Sequence, residues 1–412
     1  MAIISEPILS QLYDDAPFAW HLYHQATQSP LFDPQDIETL RYRLKSYLRL
    51  LSLAQESGHH PIENIDIDDV GSLFALTWLG IKHRQTDLWQ KAVDYVDTLE
   101  KSDELASALV WFNPEQLKDI LVKLGFSQNP WLRRATLKYA QFKKIRLADG
   151  YLQDKISGSA EPEVLTALES IAHQSNKTAY DLNVVKIESE ACSIAKLYVR
   201  FCHGEPEESL LIDIRQMLDS SPQMLRDILP LLFSLMPIES VEKLLSKILH
   251  SSYSNRLKIY AIGIAGLPNY IPTLINFMDS PEWAPLAAEA LSMITGVDIE
   301  AQDLSLDTVQ FQDKEKQQEY VFLSEETWQE RSKRDALTQA YELELPFPDI
   351  HKIQQWWVAQ SPKMMCHTRY FSGCIPSMEN LERIFRMGNQ LHRRYAALYI
   401  KRLEPQEPMR MV

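Results

Sequence analysis

The sequence predicts an all-α protein built from stacked helical hairpins, that is, an α-solenoid. Three observations support this fold class. Apolar residues recur at spacings of three and four in most segments, which is the period of one helical face. Glycine is scarce, at 12 of 412 residues, and strand-like alternation is hard to find. Helix-start signals also return at a regular distance along the chain, as expected for a repeat protein.

The clearest hairpin runs from Leu267 to Asp298. Its first helix carries an apolar stripe, and Asp279-Ser280-Pro281 is predicted to cap and start the second helix. Gly296 is predicted to end that second helix. Because one hairpin cannot bury its own apolar face, it needs neighbours stacked on both sides.

The spacing of helix starts gives the repeat period. Pro130 and Pro162 are 32 positions apart (162 − 130), and Pro222 and Asn255 are 33 apart (255 − 222). The 60 positions between Pro162 and Pro222 leave room for one repeat without a proline, which is predicted to begin at Glu190. A period of about thirty fits two short helices with their turns.

Changes in pattern divide the chain into four predicted segments: an N-terminal helical region (1–125), the repeat solenoid (126–298), an irregular acidic insertion (299–349) and a helical C-terminal cap (350–412). The first helix of the chain is expected to break near Pro17. The insertion is expected to open as a long loop, with a helix between Leu323 and Tyr341. The final helix is expected to start near Gly388 or Asn389.

Composition excludes several classes of function. A formal net charge of −14 argues against nucleic-acid binding through phosphate neutralisation and favours attraction to a basic protein. Four cysteines are too few for a disulfide framework in a chain of this length. No secretory signal and no apolar run long enough to span a membrane are visible, so we expect a cytoplasmic protein.

Two resemblances follow from particular residues. The Leu267–Asp298 hairpin, with its paired prolines and its Ala-Ala-Glu-Ala-Leu helix, resembles the HEAT-like repeats of bacterial proteins, including those of phycobilin lyases. The C-terminal segment adds three motifs: Trp356-Trp357, the Arg-Tyr-Phe-x-Gly of residues 369–373, and the Gly-x-Gln-x-x-Arg-Arg-x-Ala-Ala-Leu of residues 388–398. Together these features resemble proteobacterial HEAT-repeat proteins encoded beside type VI secretion effectors. The acidic insertion and Leu391-His392 depart from that pattern.

No catalytic constellation is visible, and we expect no enzyme activity, cofactor or metal. The nucleophile-elbow, phosphate-loop and dinucleotide-binding motifs are absent from the sequence. His21 and His24 are interpreted as packed residues beside Trp20. Cys366 and Cys374 are spaced unlike the ligands of a zinc knuckle.

The resemblance implies a role in competition between bacteria. Our leading hypothesis is an immunity protein that binds and neutralises a cognate type VI toxin. If that toxin is a nuclease, its substrate groove should be basic. Alternatives are an adaptor that loads an effector and, with less support, a HEAT-type lyase or other enzyme. Charge and expected exposure nominate seven partner-binding residues: Asp66, Asp68, Asp69, Glu300, Asp303, Asp307 and Asp313.

Overall fold

The structure is a computed structural model that describes residues 6–29, 31–58, 69, 71–174, 180–306, 308–311, 313–335 and 338–410. Within these ranges the chain is helical, and the β-type pairing consists of two isolated bridges, which confirms the predicted all-α class. Contacts group the chain into two compact units. Unit 1 comprises Met1–Glu205 and Pro405–Met411, and unit 2 contains Pro206–Glu404. The four predicted segments follow changes of sequence pattern and stay a prediction.

The described part of unit 1 forms ten α-helices: α1 (Glu6–Gln28), α2 (Pro34–Glu56), α3 (Ser72–Lys82), α4 (Thr86–Asp94), α5 (Leu99–Val110), α6 (Pro114–Gly125), α7 (Pro130–Phe142), α8 (Asp149–Ile156), α9 (Glu161–His173) and α10 (Glu190–Cys202). Helices α3, α5, α7, α9 and α10 pack against one another in succession. Helices α4 and α8 pack against their hairpin partners α3 and α9.

Polar side chains in unit 1 join elements at a nearly constant distance along the sequence. The hydrogen bonds and ion pairs that show this connect residues 30 to 33 positions apart: Ser52 with His83, Gln55 with Gln85, Asn129 with Val96, Arg134 with Asp103, Arg133 with Glu163, and Lys138 with Glu169. This separation equals the period predicted from the helix-start signals.

Helix starts in unit 1 agree with the predicted signals. The Asn129 side chain accepts a hydrogen bond from the Trp131 N–H (2.9 Å) and donates one to the Val96 carbonyl (2.6 Å), so it both caps α7 and ties it to the preceding turn. The repeat without a proline begins at Glu190, as predicted, and the Ser189 hydroxyl caps it.

The predicted break at Pro17 is wrong, because α1 continues through that residue. Proline lacks the N–H that an inner helical position supplies, and this cost normally bends or ends a helix. Here Ala16, Ala19 and Trp20 are all buried in the core of unit 1, so tertiary burial offsets the cost. The start of α3 also lies against this turn, since a Cβ on Gly71 would sit 2.3 Å from the Pro17 carbonyl oxygen.

The described part of unit 2 forms eleven α-helices: α11 (Glu207–Ser220), α12 (Leu225–Leu235), α13 (Ile238–Leu249), α14 (Asn255–Ala265), α15 (Ile271–Phe277), α16 (Ala284–Thr295), α17 (Lys314–Glu325), α18 (Trp328–Arg334), α19 (Ile350–Gln360), α20 (Met378–Met387) and α21 (Gln390–Leu403). Helices α11 to α16 form three consecutive hairpins, and α12, α14 and α16 pack in succession. Nowhere in the described ranges is a helix both long and apolar enough to cross a membrane.

The Leu267–Asp298 hairpin is present, with one boundary shifted. Helix α16 starts at Ala284 rather than at Pro281, because the Ser280 carbonyl accepts hydrogen bonds from the N–H groups of Trp283 (3.1 Å) and Ala284 (2.9 Å), which closes a turn first. Gly296 ends α16 in the left-handed conformation with φ of 71°, as predicted.

The insertion is more helical than its sequence suggests. Helix α17 begins at Lys314, within the opening part expected to be a loop. Helix α18 lies within the helix expected between Leu323 and Tyr341, and a short break before the Thr327 cap separates it from α17. Leu323 is the one buried residue of α17. A helix with so narrow an apolar side leaves almost no periodic signal in the sequence.

Candidate functional site

The seven predicted partner-binding residues are divided by the structure. Asp66, Asp68 and Asp307 lie outside the described residues. Asp69 belongs to unit 1, where its carboxylate accepts a hydrogen bond from the Ser72 hydroxyl (3.2 Å) at the start of α3. The other three belong to unit 2.

Glu300, Asp303 and Asp313 are all exposed in unit 2. Asp303 adopts a positive φ of 54° and forms an ion pair with the Lys352 ammonium (3.0 Å). Asp313 caps α17, because its carboxylate accepts a hydrogen bond from the Glu315 N–H (2.9 Å). Two of these three carboxylates therefore have local structural roles as well as exposure.

The outer side of α17 carries a combination that the sequence analysis did not select. Glu315, Glu319, Phe322 and Glu325 are exposed at positions i, i+4, i+7 and i+10, which places them along one helical face. Phe322 keeps 59% of its surface exposed, and Val321 beside it is exposed as well. The signal that could have found this surface is the helical spacing of the acidic residues around one aromatic.

Ion pairs attach this acidic segment to the hairpins of unit 2. Lys316 pairs with Asp279 (2.6 Å), and Arg334 pairs with Glu282 (2.8 Å). Arg256, on α14, is buried. Its guanidinium pairs with Asp335 (2.8 Å) and with Glu342 and lies over the Trp283 ring. Of these pairs, Lys316–Asp279 involves α17 itself, and the Tyr320 ring of α17 also packs against the rings of Phe311 and Phe347.

A cavity of about 250 Å³ lies beneath this segment. Three arginines line it, namely Arg256, Arg331 and Arg334, and each forms an ion pair with a carboxylate. Because their charge is already balanced, the cavity has no net excess of positive charge to select an anion.

A serine and a histidine lie within hydrogen-bonding distance of each other in the C-terminal section. The Ser372 hydroxyl lies 2.9 Å from His392 Nδ1, and burial lowers the pKa of His392 to about 4, so the ring is neutral at neutral pH. The neighbouring backbone donors are already used. The Ser372 N–H donates to the Met293 carbonyl (2.8 Å), and the Gly373 N–H donates to the Ile294 carbonyl (3.0 Å). Those two amides are therefore not free to stabilise an oxyanion.

The same geometry explains the Arg-Tyr-Phe-x-Gly motif. The segment lies across the C-terminal ends of α14 and α16, where helix carbonyls lack partners within the helix. The Tyr370 N–H donates to the Gly266 carbonyl (2.7 Å), next to the two bonds made by Ser372 and Gly373. The Arg369 guanidinium donates to the Tyr399 hydroxyl (2.9 Å). The motif therefore supplies hydrogen-bond donors to backbone carbonyls at the C-terminal ends of α14 and α16.

The Gly-x-Gln-x-x-Arg-Arg motif has a similar role between α20 and α21. Arg393 donates from Nη1 to the Gln390 side chain (2.9 Å) and from Nε to the Phe385 carbonyl (2.9 Å). Its guanidinium also lies 5.4 Å from the centre of the Phe385 ring. These contacts connect the end of α20 to the start of α21.

Metal-ligating side chains do not converge within the described residues, where no group of three or more histidines, cysteines, aspartates or glutamates is placed to hold an ion. All four cysteines lie within the described residues, and none of them forms a disulfide. Cys192 and Cys202 are buried and Cys366 is exposed. His367, next to Cys366, lies 2.7 Å from the Glu242 carboxylate.

Comparison with known proteins returned no match to any family model, to any curated protein or to any solved structure.

Proposed function

We propose that this protein is a HEAT-like α-solenoid that binds another protein. Two features support the solenoid arrangement. Helices α3, α5, α7 and α9 of unit 1 pack in order, with polar contacts 30 to 33 residues apart. Helices α12, α14 and α16 of unit 2 also pack in order. Each hairpin covers the apolar face of its neighbour, as repeat proteins require.

The observation that carries the binding proposal is the exposed Phe322 among the carboxylates of α17. Aromatic residues at the centre of a binding surface often supply most of the affinity, while charged residues around them set the rate and the choice of partner. Glu315, Glu319 and Glu325 place negative charge on the helical face that carries Phe322. Of the two lysines of α17, Lys316 is paired with Asp279. The partner that fits this surface has an apolar recess rimmed by lysine or arginine.

The partner we propose is a type VI toxin encoded next to this gene, which the protein neutralises in the cytoplasm as an immunity protein. The motif resemblance of residues 356–398 supports the genetic setting. The acidic charge of α17 supports a toxin with a basic substrate groove, such as a nuclease, because carboxylates can occupy the positions that phosphates take in the substrate.

The biological test is a competition assay with a strain that lacks this gene. We expect the deletion strain to be killed by toxin-bearing siblings and to be rescued by the gene supplied in trans. Survival of the deletion strain would rule out the immunity role. If deletion instead stopped delivery of the effector while the producer stayed immune, the protein would be the adaptor.

The physical test measures binding of the purified neighbouring gene product to variants of α17. Phe322→Ala should weaken binding at least tenfold, and Glu319→Lys should slow association, most clearly at low salt. Val358→Ala is the matched control, because Val358 is 71% exposed in the same unit on α19, a helix that contains no aspartate or glutamate. Equal affinity of Phe322→Ala and Val358→Ala would place the binding surface elsewhere.

A further inference from the structure

A second cavity, of about 40 Å³ and partly open to solvent, lies in unit 2. Three stacked helices, α12, α14 and α16, form most of its wall, and the turn Ala340–Glu344 and the start of α21 complete it. The wall is mainly apolar, with Leu257, Ile259, Met293 and Leu391 among the lining residues. Four charged side chains also line the cavity, and only some of them form ion pairs.

Two of the charged groups are paired and two are not. Arg256 and Glu342 form an ion pair with each other. Arg226 and Glu289 line the same cavity, but among the contacts of the described residues neither forms an ion pair. The Arg226 guanidinium lies 5.5 Å from the centre of the Tyr260 ring. Glu289 Oε1 is shielded from solvent and accepts no hydrogen bond within the described part of the chain.

A carboxyl group without an ion-pair or hydrogen-bond partner is unfavourable in such a site unless a bound molecule interacts with it. A buried carboxyl oxygen without a donor loses the hydrogen bonds that water gave it. Burial accordingly raises the pKa of Glu289 to about 7, and burial with the nearby Glu289 raises the pKa of Tyr341 to about 12. A molecule with an ammonium group and a carboxylate would supply a donor to Glu289 and an acceptor to Arg226.

We propose that this cavity binds a small zwitterion of the α-amino acid class, with its ammonium group at Glu289 and its carboxylate at Arg226. The limited volume selects the ligand, because about 40 Å³ holds roughly three water molecules. Glycine and alanine, with five and six non-hydrogen atoms, are the amino acids closest to that size, and the opening to solvent accommodates the atoms beyond it. Because the rest of the wall is mainly apolar, Glu289 and Arg226 are the groups that would recognise the charged ends of the ligand.

The decisive experiment is isothermal titration calorimetry of the full chain at pH 8, where Glu289 is mostly ionised. Glycine and alanine are compared with ethylamine, which has only the ammonium group, with acetate, which has only the carboxylate, and with tryptophan, which is too large. We expect glycine or alanine to bind at least tenfold more tightly than each of the three others. No binding of glycine or alanine at millimolar concentration would overturn the proposal, and so would equal binding of ethylamine.

Substitutions of Glu289 and Arg226 test which residue binds the ammonium group of the ligand and which binds its carboxylate. Glu289→Gln and Arg226→Gln should each weaken glycine or alanine binding at least tenfold, while Glu300→Gln, an exposed carboxylate outside the cavity, should leave it unchanged. Undiminished binding by Glu289→Gln would refute the assignment. If either variant fails to fold, the ligand series on the unaltered chain still decides, because it requires no substitution.

Discussion

Gly296→Ala tests whether residues 370–373 are fixed on the end of α16. Gly296 has φ of 71°, a conformation in which a residue with a Cβ is strained. A Cβ at this position would lie 2.6 Å from the Ser372 carbonyl oxygen and 2.7 Å from its carbonyl carbon. These are backbone atoms, so the whole segment must move to make room.

The expected loss of stability has two parts. The left-handed conformation costs about 1 kcal/mol for alanine. Displacing the segment also weakens the bonds from Ser372 to Met293 (2.8 Å) and from Gly373 to Ile294 (3.0 Å), each worth about 1 kcal/mol. The total is about 3 kcal/mol, or roughly 6–12 °C in Tm for a unit of about 200 residues.

Gly204→Ala, in unit 1, is the control for the conformational cost alone, because Gly204 has φ of 75° and a Cβ there would meet no atom within 4 Å. It should lose only the conformational cost of about 1 kcal/mol. Both variants are measured by calorimetry and by hydrogen exchange of the peptide that contains Ser372 and Gly373. Exchange should accelerate in Gly296→Ala alone. Equal losses of Tm with unchanged exchange would refute the reasoning.

Two further predictions concern packing and pH. Ala290→Arg should destabilise the fold by several kcal/mol, because Ala290 is buried where α14 and α16 pack closely. A Cβ on Gly263 would already lie 3.1 Å from the Ala290 Cβ. An unchanged melting temperature would contradict this close packing. Glu104 is buried against the start of α3, and burial raises its pKa to about 7 although it accepts hydrogen bonds from Gly71 and Phe74. The unfolded chain loses this proton near pH 4.5, so the folded state loses stability as pH rises from about 4.5 to 7, by on the order of 3 kcal/mol. Glu104→Gln cannot ionise and should remove that loss in urea unfolding at pH 5 and pH 8; an identical pH dependence in both proteins would exclude Glu104 as its source.

Regular features of the fold could be predicted because they repeat. The start at Glu190, the end at Gly296 and the separation of about thirty residues all follow from local helix signals that recur along the chain. Such signals act within one or two turns and depend little on distant residues. These helix start and stop signals can therefore be detected in the sequence of each repeat without knowledge of the tertiary structure.

The features that could not be predicted depend on contacts between distant residues. Pro17 stays within α1 because its neighbours Ala16 and Trp20 are buried against other helices. Helix α17 has a single buried residue, Leu323, and its other contacts with distant residues are the Lys316–Asp279 ion pair and the packing of Tyr320 against Phe347. Neither long-range burial nor ion pairing leaves a periodic pattern in the local sequence.

The motifs that resemble a known family and the proposed binding surface consist of different residues. Tyr370 and Gly373 close helix ends, and Arg393 connects α20 to α21, so these residues are explained by the scaffold. A resemblance carried by scaffold residues supports a shared fold more directly than a shared partner. The proposed binding surface lies where the chain departs from that pattern, on α17 around Phe322. Loss of binding in Phe322→Ala with unchanged stability, and loss of stability in Gly296→Ala, would show that recognition and folding rest on separate residues.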